Sequence, residues 1–338
     1  MTKNFAILLL VFFIIGSCLI GCKTEEHHQR EKSWMTANGK IKVLCTICMI
    51  EQLVKQVGGP YVDTNTLVKG ELDPHAYQLV KGDDEKLNFA DVIFYNGVGL
   101  EHGPSLCHYL ANNKKACGLG NKIYERDPSL LLNYQGSIDP HIWMDMQLWS
   151  LTVDYIVGTL AAHDPSHAGF YREEGGELQK QMRQIHEQLK EEMAKIPEKK
   201  RFLITSHDAF NYFTRSYLAA EGEIQTGEWQ KRFAAPEGLS PESQLSTADI
   251  RMIINHLREH DIRVIFSESN VSQASIRKLV DAGRDRGIAL TIAQDPLYAD
   301  AMGPPGSSGD SYIKMIQHNV RTIAKYLSLN DGDVACGH

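Results

Sequence analysis

The stretch from Asp164 to Pro197 most constrains how this chain can fold. Asp164-Pro165 has the form of a helix start, with Asp at the N-cap and Pro at the first helical position. Leu178, Met182, Ile185, Leu189 and Met193 then recur at intervals of three and four, and Pro197 stops the pattern. About 30 helical residues would span roughly 45 Å at 1.5 Å per residue, more than one small domain needs. The stretch is therefore expected to connect two bodies. Gly175-Gly176 lies inside it at a cost of about 1 kcal/mol per glycine relative to alanine, which leaves a local bend there open.

Strand-like and helix-like segments alternate on both sides of that connection. Ile41 to Cys45 is a β-branched run followed by helical spacing over Met49 to Val57. Val92 to Tyr95 reads as a strand stopped by Asn96-Gly97, and Leu148 to Leu160 is apolar at helical spacing. Beyond the connection, Arg201 to Thr205, Arg263 to Phe266 and Ala289 to Ile292 read as strands. Such alternation predicts an α/β fold: two lobes with parallel sheets flanked by helices, joined by one long rigid helix. The expected boundaries are 40–163 for the N-terminal lobe, 164–197 for the helix, 198–330 for the C-terminal lobe and 331–338 for a tail. A length of 338 residues is long for one core and comfortable for two.

The N-terminus differs in kind. Lys3 supplies a positive start, and the apolar run Phe5 to Ile15 falls short of the roughly 20 residues a spanning helix needs. A secretory signal over 1–21 fits better. Leu19-Ile20-Gly21-Cys22 resembles the lipobox of bacterial lipoproteins, which implies a lipid on Cys22, a membrane anchor and an exported, periplasmic or cell-envelope location. Residues 22–39 are polar and without apolar period, as a tether would be. The net charge of -7 is spread over mixed signs, which argues against a nucleic-acid partner.

Outside the signal the cysteines are Cys45, Cys48, Cys107, Cys117 and Cys336, an odd number, so at least one is unpaired or intermolecular. Cys107 and Cys117 are close enough in sequence to close a small disulfide loop in an exported protein, and this pair is favoured. Cys45-Thr46-Ile47-Cys48 has redox spacing without a thioredoxin-like context, and reads more plainly as two small residues ending a strand.

Candidate chemistry sits in loops. Asp73-Pro74-His75 is echoed by Asp139-Pro140-His141, and each proline stiffens the loop that presents a histidine. His207, Glu268 and Asp300 follow the three C-terminal strands, where ligands collect in open parallel sheets. Three neutral imidazoles and a carboxylate suit Zn²⁺, Mn²⁺ or Fe²⁺. Asp73 to Tyr77, Asp139 to Trp143, Ser206 to Phe213 and Leu297 to Gly303 together resemble the four metal-ligand motifs of the solute-binding lipoproteins of zinc, manganese and iron ABC transporters, the TroA and ZnuA group. The resemblance runs from about Ile41 to about Leu327.

That resemblance implies one metal ion held between lobes by His75 and His141 from one side and His207 and Asp300 from the other. The ion is cargo: the protein captures it and docks on an ABC permease served by its ATPase, acting as a monomer and not as an enzyme. Glu268 is a candidate to support the ligands. Manganese-binding members often carry glutamate where this chain has His207, and the long histidine-rich loop of many zinc-dedicated members is missing, so the metal is left open. Each histidine binds when neutral, so release is expected as pH falls toward about 5.

Other readings compete. His256-Leu257-Arg258-Glu259-His260 matches the H-x-x-E-H pattern of inverted zinc peptidases. Yet Ile250, Ile253, Ile254 and Leu257 define the apolar face of that helix and leave both histidines to its side. A hydrolytic use of the His75 set would need an open coordination position. A surface adhesin would also suit a lipoprotein but leaves four ligands unexplained.

Overall fold

The computed structural model describes residues 33–134, 136–240 and 246–329. The signal, Cys22, most of the expected tether, the tail and Cys336 lie outside them.

The N-terminal half is built on four parallel strands: β1 (Ile41–Cys45), β2 (Val62–Thr66), β3 (Val92–Tyr95) and β4 (Ala116–Gly118), in the order β2-β1-β3-β4. Every residue of β1 is buried, as a central strand covered on both faces requires. The helix Cys48–Gly58 directly after β1 buries Met49, Ile50, Leu53, Val54 and Val57, the face that the apolar spacing predicts. A short antiparallel hairpin, β5 (Asn133–Tyr134) with β6 (Ser137–Ile138), leads into the second Asp-Pro-His loop. The expected tether extends to residue 39, but Trp34 is buried and its indole N–H donates to the Asp63 carbonyl at 2.9 Å. The folded half thus takes in residues ahead of 40.

The C-terminal half carries β7 (Leu203–Ile204) parallel to β8 (Phe233–Ala234), and β9 (Val264–Ile265) parallel to β10 (Thr291–Ile292). Phe266 N–H donates to the Ile204 carbonyl at 2.8 Å, which joins the two pairs. These strands are shorter than the runs the sequence predicts, β10 for example starting only at Thr291.

The connecting helix spans Ala168–Ala194, 27 residues, or about 40 Å. It starts later than the sequence predicts. Asp164 and Pro165 open a turn of 3-10 helix, and the Asp164 carboxylate accepts from Ser166, His167 and Tyr171 side chains instead of capping backbone N–H groups. Its buried stripe is Ala168, Tyr171, Gly175, Leu178, Met182, His186, Leu189 and Met193. The predicted Ile185 is only partly buried; His186 takes the inner place, with Nδ1 3.0 Å from the Tyr217 hydroxyl. One apolar core runs through both halves and this helix, from Val43 and Phe94 through Met182 to Phe213 and Ile323.

Gly175-Gly176 produces no break in the helix. A Cβ on Gly175 would lie 2.4 Å from Val157 Cγ2, so this glycine lets the connecting helix approach the helix Thr152–His163, whereas Gly176 faces open space. The Cys107–Cys117 disulfide is not formed: both are free thiols, Cys107 exposed on the helix Pro104–Asn112 and Cys117 packed against the main core. Cys45 and Cys48 are free as well; burial raises both thiols, Cys48 to about 11, so neither offers a thiolate for redox work.

The two glycines should separate in thermal unfolding. Gly176→Ala is expected to stabilise by up to about 1 kcal/mol. Gly175→Ala is expected to destabilise by about 1–3 kcal/mol, because β-branched Val157 cannot swing away; equal effects at the two positions would contradict the packing described.

Candidate metal centre

Four sequence-predicted residues converge. His75, His141, His207 and Asp300 are all buried, and one donor atom from each lies within 4.8 Å of the others. His75 Nε2 is 3.1 Å from His141 Nε2 and 3.7 Å from Asp300 Oδ2; His141 Nε2 is 3.4 Å from Asp300 Oδ1; His207 Nε2 is 3.1 Å from Asp300 Oδ2. Four donors at about 2.0–2.1 Å from a tetrahedral zinc ion would stand about 3.3 Å apart. Both Asp300 oxygens and His207 Nε2 are nevertheless buried without a hydrogen-bond partner. Four buried donors converging at these distances suit a shared cation at their centre.

The echoed tripeptide has a physical cause beyond proline stiffness. In each copy the aspartate Oδ1 accepts the backbone N–H of the histidine two residues on, at 2.8 Å in Asp73–His75 and 2.9 Å in Asp139–His141. In the second copy Asp139 Oδ1 also lies 2.7 Å from His141 Nδ1, which fixes the proton there and turns Nε2 toward the cluster. Asn96, at the end of β3, donates to the Pro140 carbonyl at 2.9 Å and secures that loop. His75 Nδ1 has no hydrogen-bond partner among the described residues, so this ring lacks the carboxylate support that His141 has.

On the other side, Glu268 joins two strand ends. Its Oε1 accepts from the backbone N–H groups of Ser206 and His207 at 2.8 and 2.9 Å, while Oε2 lies 2.5 Å from His207 Nδ1. The sequence places Glu268 at a strand end; the structure sets it behind His207.

The halves are tied together around the site. Trp143 N–H donates to the Ala299 carbonyl at 2.9 Å, next to Asp300, and the Tyr312 hydroxyl donates to the Trp143 carbonyl at 2.8 Å. The Tyr212 hydroxyl donates to the Asp139 carbonyl at 3.0 Å, and Ser216 donates to Asp145 at 2.6 Å. Asp139, Asn96, Tyr212 and Asn211 were not singled out for the site from sequence. Only Asp139 carries a local signal, its place two residues before a histidine.

The charges divide the three histidines. Burial lowers His75 to about 3, so it is neutral and ready to bind at neutral pH. Burial also acts to lower His207, but the flanking Glu268 and Asp300 carboxylates more than reverse it and hold the ring protonated. Asp300, though burial opposes it, is kept ionised well below the usual carboxylate range by His207, His141 and His75.

His256, Glu259 and His260 form no comparable donor group among the described residues. His260 stacks on Phe202 at 4.2 Å, and burial next to His260 lowers His256 to about 4. Glu259 is exposed on the helix Thr247–Glu259, whose inner face is Ile253, Ile254 and Leu257. These histidines cover an apolar edge, and the peptidase pattern has no structural counterpart.

Residues 43–326 match the family model described as ZnuA, zinc-uptake complex component A, periplasmic. The chain belongs to this family. The metal-binding protein YtgA of Chlamydia trachomatis is 35% identical over 92% of this chain and 93% of its own length. The manganese-binding lipoprotein MntA of Bacillus subtilis is 31% identical over 91% of this chain and 95% of its own. A crystal structure of Fe(III)-bound YtgA superposes with a TM-score of 0.81 at 36% identity, covering 86% of this chain and 98% of that one. The periplasmic zinc-binding protein TroA of Treponema pallidum gives 0.78 at 29% identity, covering 86% and 100%. Relatives in this family thus carry names for zinc, manganese and iron.

Proton linkage should be carried by His207. Because its folded-state pKa is raised, an ion arriving at pH 7 displaces a proton there, whereas His75 has none to give. Calorimetry in buffers of different ionisation enthalpy is expected to find about one proton released per zinc ion, with affinity falling about tenfold per pH unit below neutrality. The release should shrink in Glu268→Gln; binding without proton release would contradict the assignment.

Proposed function

We propose that this chain is the extracytoplasmic substrate-binding component of an ABC transporter, and that His75, His141, His207 and Asp300 capture one transition-metal ion for delivery to a permease and its ATPase. The observation that carries the ligand assignment is the cluster of four buried donors within 4.8 Å of one another. Family membership and the metal-binding names of its relatives support the transport role.

The chemistry favours capture over catalysis. Four protein donors can complete a tetrahedral shell, and a two-oxygen contact from Asp300 would add a fifth protein donor, so the protein itself can supply the whole coordination shell. Two donors come from each side of the connecting helix, so pulling the halves apart removes half of the ligands together. In this reading the lobes are residues up to 163 and 198–330, with the 164–197 segment as the stiff link. The ties around Trp143 and Tyr212 favour small lobe shifts and loop movement over a wide hinge swing.

Metal preference follows from the donor set. Three imidazoles and one carboxylate bind Zn²⁺ more tightly than Fe²⁺ or Mn²⁺ by the Irving-Williams order, so physiological choice between them rests on supply. The chain acts as a monomer fixed to the membrane surface by lipid on Cys22, a reading supported by the lipobox-like Leu19-Ile20-Gly21-Cys22. No helix among the described residues is long and apolar enough to cross a membrane.

Two experiments test this. Metal-stripped protein from Lys23 onward, titrated with zinc, ferrous iron and manganese under matched conditions, should bind one ion, zinc most tightly. Alanine at His75, His141, His207 or Asp300 should weaken binding by at least about tenfold, and a fourfold variant that binds as tightly as the parent would sink the assignment. Cells given labelled palmitate should label the parent and not Cys22→Ala; equal labelling would rule out that anchor.

A further inference from the structure

The second Asp-Pro-His loop and the His207 loop meet at one neutral side chain. Asn211 Nδ2 donates to Asp139 Oδ2 at 3.0 Å and to Asp208 Oδ1 at 2.8 Å. Asp139 belongs to the N-terminal half, and its other oxygen is the one that holds His141 Nδ1. Asp208 directly follows His207. With a longer contact to the Asp208 carbonyl at 3.4 Å, this one amide bridges carboxylates from opposite halves that would otherwise repel each other. Neighbouring Tyr212 ties the same loop a second time through the Asp139 carbonyl.

The bridge is a built feature and not a surface contact. Asp139 is fully buried, and Asp208 is nearly so. Asp139, Asp208 and Asn211 line one wall of a cavity of about 550 Å³ whose other walls include Trp229, Phe233 and His256. Asn211 is the side chain that donates to both carboxylates.

We propose that Asn211 is a positioning residue that couples the two halves of the metal centre. By holding Asp139 Oδ2 it keeps Oδ1 on His141 and His141 Nε2 on the ion, and by reaching Asp208 it locks that arrangement to the His207 loop. The inference rests on the metal-binding reading above. Breaking the bridge lets the N-terminal ligands part from the C-terminal pair more easily. The ion then leaves faster, while its association rate, set by encounter, changes little.

The test uses the metal-free chain from Lys23 onward, loaded with zinc for release kinetics against a chelator and with cobalt(II) for its absorption spectrum at pH 8. Asn211→Ala should speed zinc release about tenfold and shift the cobalt bands. Asn211→Asp keeps the shape but replaces the donor by an acceptor, and should speed release at least as much; if Asn211→Ala fails to fold, this variant carries the test. Parental release and an unchanged cobalt spectrum in Asn211→Asp would mean that the side chain only fills space, and would overturn the inference. His75→Ala separates the two claims. If it loses zinc while the Asn211 variants release at the parental rate, the coupling is wrong and the metal site stands; if it binds like the parent, both fall.

Discussion

A fully buried aspartate is an expensive thing to build, and Asp300 is one, with three imidazoles packed against it. Burying a bare carboxylate costs several kcal/mol unless a cation or donors compensate it. The arrangement makes sense as a receptor for a cation, and much of the surrounding structure follows from it. Glu268 places a second carboxylate behind His207, so a divalent ion meets two negative charges within the C-terminal half. The N-terminal half contributes two imidazoles, one of them oriented by Asp139.

Holding such donors a few ångströms apart requires a frame that does not relax. The connecting helix supplies length, and its buried stripe makes it part of the common core and not a free strut. Trp143 is the nearest link between ligands and frame. It lies two residues from His141, its N–H reaches the carbonyl beside Asp300, and its own carbonyl is held by Tyr312. A shift of one half is therefore felt at ligands from both.

The candidate site was legible in the sequence because the four residues proposed as ligands sit in short motifs with strong local chemistry, two of them duplicated. The α/β class was legible from strands such as Ile41 to Cys45 whose burial matches their β-branched runs. β2 was not, because Val62-Asp63-Thr64-Asn65-Thr66 is polar, and its place beside β1 is a matter of tertiary pairing. The two-residue β8 is too short to leave a periodic signal. Trp34 lies in a stretch whose composition reads as a tether, and its burial depends on a partner surface far along the chain. The Cys107–Cys117 expectation failed because proximity in sequence says nothing about direction: a helix and a strand carry the two thiols into different surroundings. Asn211 lies in the Ser206 to Phe213 motif, but its bridging role has no sequence signal, since it exists only once two halves have come together.

Four protein atoms around one ion define the proposed site. X-ray absorption at the zinc edge of the loaded protein reads that shell directly. The structure predicts three imidazole nitrogens and one carboxylate oxygen at about 2.0–2.1 Å, with no sulfur at about 2.3 Å. A shell containing sulfur, or one dominated by water oxygens with fewer than three imidazoles, would contradict it.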